Sequence, residues 1–340
     1  MKSLSSNAFD GAGTLNALMR VEEVADLIRA GVPLALAGRP QALARLPQGN
    51  WIGGSSPYFM TPEGGRVIDD SLVFATDLSA IGEVRVASYA AHELVEISNR
   101  SADNGFALTI IPAGSDCHAR FAREAPTYPL AFLRPTVGWI AGVDLAEPGA
   151  MACVFDGRDG SCHGDRAVVA HVELPDDKLV HIEIVNLFRP DDLSPIRFED
   201  VSFTPDWCEY HGERRHFAQV VGELDRAGGK VPLVGDFAGA HCNASLREVD
   251  LAAGRVELYA PVFPGVDYRF AKPVEDYAEA FRSALAGRDL GDMAWSCNCI
   301  LNFLHGEMEG RKIGDIAGPV TFGEIAYQLL NQTMVILRVV

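Results

Sequence analysis

Two thiols set two residues apart, in Cys297-Asn298-Cys299, are the spacing in this sequence with most chemical potential, because an extended strand turns both to the same side. A thiolate at either position is a nucleophile if His305 or His241 serves as its base, which gives one enzymatic reading of the chain. Zinc binding is a weaker fit: the metal takes four ligands, only two are local, and His305 or the pair His241-Cys242 would have to be brought in by the fold. The bland alternative is a pair of core thiols, since free cysteine is among the most buried residue types.

A second chemistry is backbone recognition of a small ligand. Gly49-Asn-Trp-Ile-Gly-Gly-Ser-Ser-Pro-Tyr-Phe59 lies where a strand gives way to a loop, and glycines there let a ligand approach the main chain. Gly53, Gly54, Ser55 and Tyr58 are the candidate contacts, against the alternative of a tight turn needing positive φ. On this view Gly54→Val costs binding more than folding. Other patterns carry less. His92-Glu-Leu-Val-Glu96 has the first half of a zinc-protease helix and lacks its second histidine. Cys117-His118 and Cys162-His163 are adjacent pairs that cannot chelate one metal as local units. Asp156-Gly-Arg-Asp-Gly160 reads as a hairpin loop. The sequence holds no Gly-x-Ser-x-Gly elbow, dinucleotide fingerprint or phosphate loop, which weakens serine hydrolysis and nucleotide chemistry together.

The elements that must position these groups alternate between strands and helices. Val21, Val24, Leu27 and Ile28 recur at helical spacing ahead of Gly31, and Pro33 to Ala37 reads as a buried strand. A helix over Pro40–Leu46 and a strand over 50–54 complete an α/β unit. Further strands are expected at 72–76, 83–89, 106–112, 136–143, 151–155, 167–174 and 179–188, with helices at 90–99 and 115–124. A proline-rich stretch before Pro205 suggests a boundary near residue 200, hence two α/β halves, 1–200 and 201–340, with mixed β-sheets flanked by helices. In the second half a helix is expected over His211–Ala227, with Glu213-Arg-Arg-His216 as one solvated turn of it. Strands follow at 231–234, 245–249 and 255–263, then a helix over Val274–Ala286. The Cys297 strand runs from Met293 to Leu301, and the chain closes on a strand from Thr333 so apolar that it should sit mid-sheet.

The 340 residues are 48% hydrophobic and 22% charged, ordinary globular values for a chain able to bury a large core. A net charge of -17 repels phosphates and anionic headgroups, so nucleic acid and membrane surfaces are not expected partners. Neither a signal peptide nor a run of about 20 apolar residues is present. Seven cysteines, an odd number, fit reduced thiols, and the cytoplasm is the expected compartment.

The order of a cysteine-bearing strand, Gly323-Glu324-Ile325 opening a short helical turn, and a closing strand at Asn331-Gln332-Thr333 resembles the C-terminal half of FIST domains, most closely over residues 205–340. The strand running into Gly53-Gly54 is similar to their N-terminal half. The resemblance implies an intracellular sensory module with a small ligand, amino-acid-like molecules included. It implies Cys297 or Cys299 as pocket lining without a catalytic role, and Glu324 as an acceptor for a ligand amine or a cap on a helix dipole. No kinase, cyclase or methyl-acceptor segment is found in these residues, so a separate signalling partner is expected. A haem held by a pocket histidine is a lesser alternative, and no other cofactor is indicated.

Overall fold

The computed structural model describes residues 15–225, 227–288, 290–291 and 293–340. It is α/β with mixed sheets and flanking helices, and its described strands form four six-stranded sheets and one two-stranded hairpin. The first sheet uses strands from Asn16–Arg20 to Ser161–His163, all from the early chain. The second places Glu324–Ala326 and Gln328–Leu330 beside Thr136–Ala141, Gly105–Pro112, Arg166–Glu173 and Glu83–Ala90. In the third, Thr333–Val339 lies between Val180–Asn186 and Met293–Cys299, while Gly318–Thr321 pairs with Tyr58–Thr61. Residue 200 is therefore not a seam between sheets: three of them recruit strands from both sides of it, one through the two-residue strand Ile196–Arg197. Proline-rich composition marks an exposed connector, and it carries no information about which strands pair across it.

Three parallel pairs position the site. Leu34–Gly38 runs parallel to Trp51–Ser55 with the helix Pro40–Leu43 between them. Gly105–Pro112 runs parallel to Thr136–Ala141 across the helix Asp116–Glu124. Met293–Cys299 runs parallel to Gly318–Thr321 across the helix Ile300–His305. A parallel pair cannot close with a tight turn, so each needs such a crossover. Hydrogen bonds stitch the carboxyl ends of the three pairs together. Gly142 N–H donates to Ser55 O at 2.8 Å, Ser56 Oγ to Val320 O at 2.7 Å and Phe322 N–H to Ile140 O at 3.0 Å.

Behind these ends the sheets meet in a dry core. Trp139 and Trp295 stack with centroids 5.6 Å apart, and Trp51 is equally buried. A Cβ on Gly54 would come within 2.5 Å of Ile110 Cγ2 and 2.9 Å of Trp139 Nε1, so glycine is what lets the first sheet close onto the second.

Three expected elements differ. Glu213–His216 is a strand, because His211 and Gly212 take positive φ and turn the chain back as a hairpin with Trp207–Tyr210, leaving only Phe217–Leu224 as helix. The Cys297 strand ends at Cys299, where Ile300 begins a helix. Gly323, at φ +154, leads into a strand instead of a helical turn, so Glu324 caps no helix dipole.

Candidate functional site

Where the three parallel pairs end, the surface opens into adjoining hollows of about 660, 230 and 40 Å³. Val143, Ala150 and Met151 are shared by the first two, and Leu145, Tyr259 and Phe322 by the first and third, so they form one cleft. Each crossover contributes wall: Pro40 and Gln41 from the first helix, Ser115, His118 and Ala119 from the second, Ile300, Leu301 and Leu304 from the third. Carboxyl ends of parallel strands are where open α/β sheets expose backbone and helix N-termini to a ligand. The mouth is apolar, since Leu145, Met151 and Leu304 are among the large hydrophobic side chains left exposed.

The smallest hollow has a polar floor. Cys299 and Asn331 line it, and Glu324 lies behind Cys299, fully buried. The Glu324 carboxyl accepts from Thr333 N–H at 3.1 Å and Thr333 Oγ1 at 2.7 Å. Burial raises its pKa to about 8 against those hydrogen bonds, so at neutral pH it is largely a neutral acid. Beside it Asn302 Nδ2 donates to Asn298 Oδ1 at 2.9 Å. Asn298 Nδ2, Asn302 Oδ1 and Asn331 Oδ1 are buried with no hydrogen-bond partner among the described residues. Each such group costs about 1–3 kcal/mol of stability, and three of them lie close together here.

The 660 Å³ hollow is lined by His118, in the first turn of the Asp116–Glu124 helix. Ser115 caps that helix, its Oγ accepting from His118 N–H at 3.1 Å. Gly114 N–H donates to His118 Nδ1 at 3.2 Å, while His118 Nε2 is buried without a partner among the described residues. Burial, with Arg247 adding to it, pushes this imidazole down to about 4, so it is neutral.

The 230 Å³ hollow is braced by Arg39, which pairs with Asp144 and, at 2.7 Å, with Glu147. Tyr58 Oη accepts from Leu145 N–H at 3.0 Å and so holds the loop that forms the cleft's shared wall. The Ala146 N–H and then the Arg39 guanidinium keep the Asp144 carboxyl below its ordinary range.

The structure thus divides the residues singled out from the sequence. Ser55 and Cys299 line the cleft, Tyr58 positions its wall loop, and Glu324 lies under its floor. Gly53, Gly54 and Cys297 do not line it. The two glycines are inside the Trp51–Ser55 strand without positive φ, and Cys297 packs with Trp139 and Trp295 in the core. Cys297 belongs to that cluster and Cys299 to another, because the strand ends at Cys299, where the chain turns into the Ile300–His305 helix. Sequence reasoning missed Tyr259, Phe322 and Arg247 altogether. It named His118 only as half of a non-chelating pair. The N-cap at Ser115, three residues before His118, was the available signal for that part of the site.

The arrangement bears on the chemical alternatives. Burial, with Glu324 nearby, raises the Cys297 and Cys299 thiols well above their usual range, opposite to what a nucleophile requires. No histidine is hydrogen-bonded to either thiol among the described residues. Among those residues no three His, Cys, Asp or Glu side chains are grouped to hold a metal ion. Haem does not fit the cleft histidine: with Nδ1 accepting from Gly114, the proton resides on Nε2, where iron would need a lone pair. His305 belongs to a neighbouring hollow of mixed lining, with Asp225, Lys230, Arg247 and Glu248 beside Val221, Leu246 and Leu251. No helix of the described residues is long and apolar enough to cross a membrane.

The chain belongs to a family of unknown function, DUF6976, whose model matches residues 19–340. No curated protein and no solved structure matches it.

Proposed function

We propose that this protein is a cytoplasmic small-molecule-binding protein of sensory type, similar to FIST domains, whose ligand occupies the cleft at the ends of the three parallel pairs. The observation that carries the reading is convergence. Three separate crossovers each bring a strand end and a helix to one concave place, and two of the side chains lining it, His118 and Asn331, carry a buried polar atom with no partner among the described residues. Cys299 on the wall, with Glu324 behind it, is in keeping with the pocket-lining role that the resemblance implies for Cys299. The raised thiol pKa values favour binding over covalent chemistry. A separate signalling partner would read the bound state.

The test is thermal denaturation of the wild type and of Ala150→Trp across a panel of amino acids and small organic acids. Ala150 is exposed on the shared wall, so an indole there fills the cleft without disturbing the core. Stabilisation of the wild type alone is expected. Equal shifts in both proteins would place binding elsewhere.

A further inference from the structure

We infer that the cleft's ligand is an organic anion, an apolar or aromatic body bearing a carboxylate that accepts from His118 Nε2–H and from the Arg247 guanidinium. The inference rests on the reading of the cleft as a ligand site and adds the chemical class.

The hydrogen bond from Gly114 N–H, 3.2 Å long, fills the lone pair of His118 Nδ1. A neutral imidazole then carries its one proton on Nε2, so the atom left buried and unpartnered is a donor and the missing group is an acceptor. The ring sits at the amino end of a nine-residue helix, whose dipole favours negative charge in that place. Arg247 lines the same hollow from the hairpin Leu246–Asp250 and Arg255–Leu258, close enough to act on the imidazole electrostatically. Its Nη1 donates to Glu257 Oε1 at 2.8 Å, and its other guanidinium nitrogens have no hydrogen-bond partner among the described residues. Glu257 offsets part of the positive charge, which leaves Arg247 a directional donor more than a net attractor.

Between these donors and the mouth the wall is Phe203, Phe322, Tyr259, Leu145 and Met151, which suits an apolar body. A protein of net charge -17 repels anions at long range. A carboxylate must therefore be recognised by short-range donors held out of water, which is what the buried N–H offers.

The experiment uses 3-phenylpropionate and its uncharged counterpart 3-phenylpropan-1-ol, titrated by calorimetry into wild type, His118→Phe and Ala150→Trp. The carboxylate should bind wild type at least tenfold more tightly than the alcohol, lose at least tenfold in His118→Phe and not bind Ala150→Trp. Equal affinities for acid and alcohol, or an unchanged acid affinity in His118→Phe, would overturn the anion claim. Sensitivity of both probes to Ala150→Trp would, in that case, leave the cleft reading standing. Binding of neither probe at millimolar concentration overturns the anion claim, and the cleft reading is then judged by the thermal panel. Independently of any variant, nitrogen-15 shifts of the His118 ring should show the Nε2–H tautomer at neutral pH. An Nδ1–H tautomer would contradict the argument at its root.

Discussion

Two buried regions a few residues apart in the same strands are built on opposite terms. Around Gly54, Ile110, Trp139, Trp295 and Cys297 the interior is closed and apolar but for the unpartnered Trp139 Nε1, with aromatic rings stacked and no room for an added methyl at Gly54. Around Glu324, Asn298, Asn302, Asn331 and Cys299 it is equally buried yet polar, with a neutral acid and amide atoms left unpaired beside a hollow. The first region is what holds the sheets together. The second is poor packing by the same standard, and such a departure from full satisfaction is where function is to be sought.

The sharpest way to break the comparison is to remove the strand both regions share. Thr333–Val339 is hydrogen-bonded on both sides, and Met334, Val335, Ile336 and Leu337 are fully buried. At about 1.5–3 kcal/mol per buried side chain, deleting 333–340 takes away an amount comparable to a net stability of about 5–15 kcal/mol. The truncated chain should be insoluble or molten; a soluble product with an unchanged melting temperature would show the strand to be peripheral.

Gly54→Val comes next. The sequence suggests a binding defect, but the added atoms would strike Ile110 and Trp139, so the expected result is a loss of about 1–3 kcal/mol or more in folding. Urea denaturation at wild-type stability would mean that the two sheets are not packed as described.

Glu324→Gln probes the polar region, with an effect that depends on pH. The folded-state pKa of about 8 lies above the ordinary 4.5, so folding takes up a proton between those values. Stability is fully present below the lower value and declines as pH rises toward the upper one, at up to about 1.4 kcal/mol per pH unit. Glutamine imitates the neutral acid and has no such slope. The variant should therefore gain on wild type steadily from pH 5 to pH 8, and a difference in melting temperature that did not change with pH would place the carboxylate in a solvated or ion-paired setting.

The smallest effect sharpens the contrast between thiols. Cys162 is exposed, whereas Cys297 and Cys299 are buried with raised pKa values. Iodoacetamide at neutral pH should mark Cys162 first, as located by peptide mapping, and leave the other two slow. Fast labelling of Cys299 would restore the nucleophile reading.

Periodicity made the framework of this fold legible. The Val21 helix, the Phe106 and Thr136 strands and the Thr333 strand are where their apolar spacing puts them. Residue 200 misled because strand pairing is a long-range choice that local composition does not encode. Cys299 and Ser55 could be reached from strand ends, since a strand's carboxyl end in an α/β unit is a place that sequence can locate. Tyr259, Phe322 and Arg247 could not: they come to the cleft from a hairpin and a third sheet, and the His118 helix they share it with is more than a hundred residues away in the chain. His118 was hidden for another reason, because its role lies in a missing hydrogen bond, which only coordinates reveal.

The central claim, that the cleft holds a small molecule, is tested most directly by denaturing freshly purified wild type and Ala150→Trp and identifying what each releases by mass spectrometry. A compound recovered near one equivalent from wild type and absent from the variant, at matched melting temperatures, is the predicted result. The same compound from both proteins, or none from wild type in repeated preparations together with no thermal shift from the panel, would contradict it.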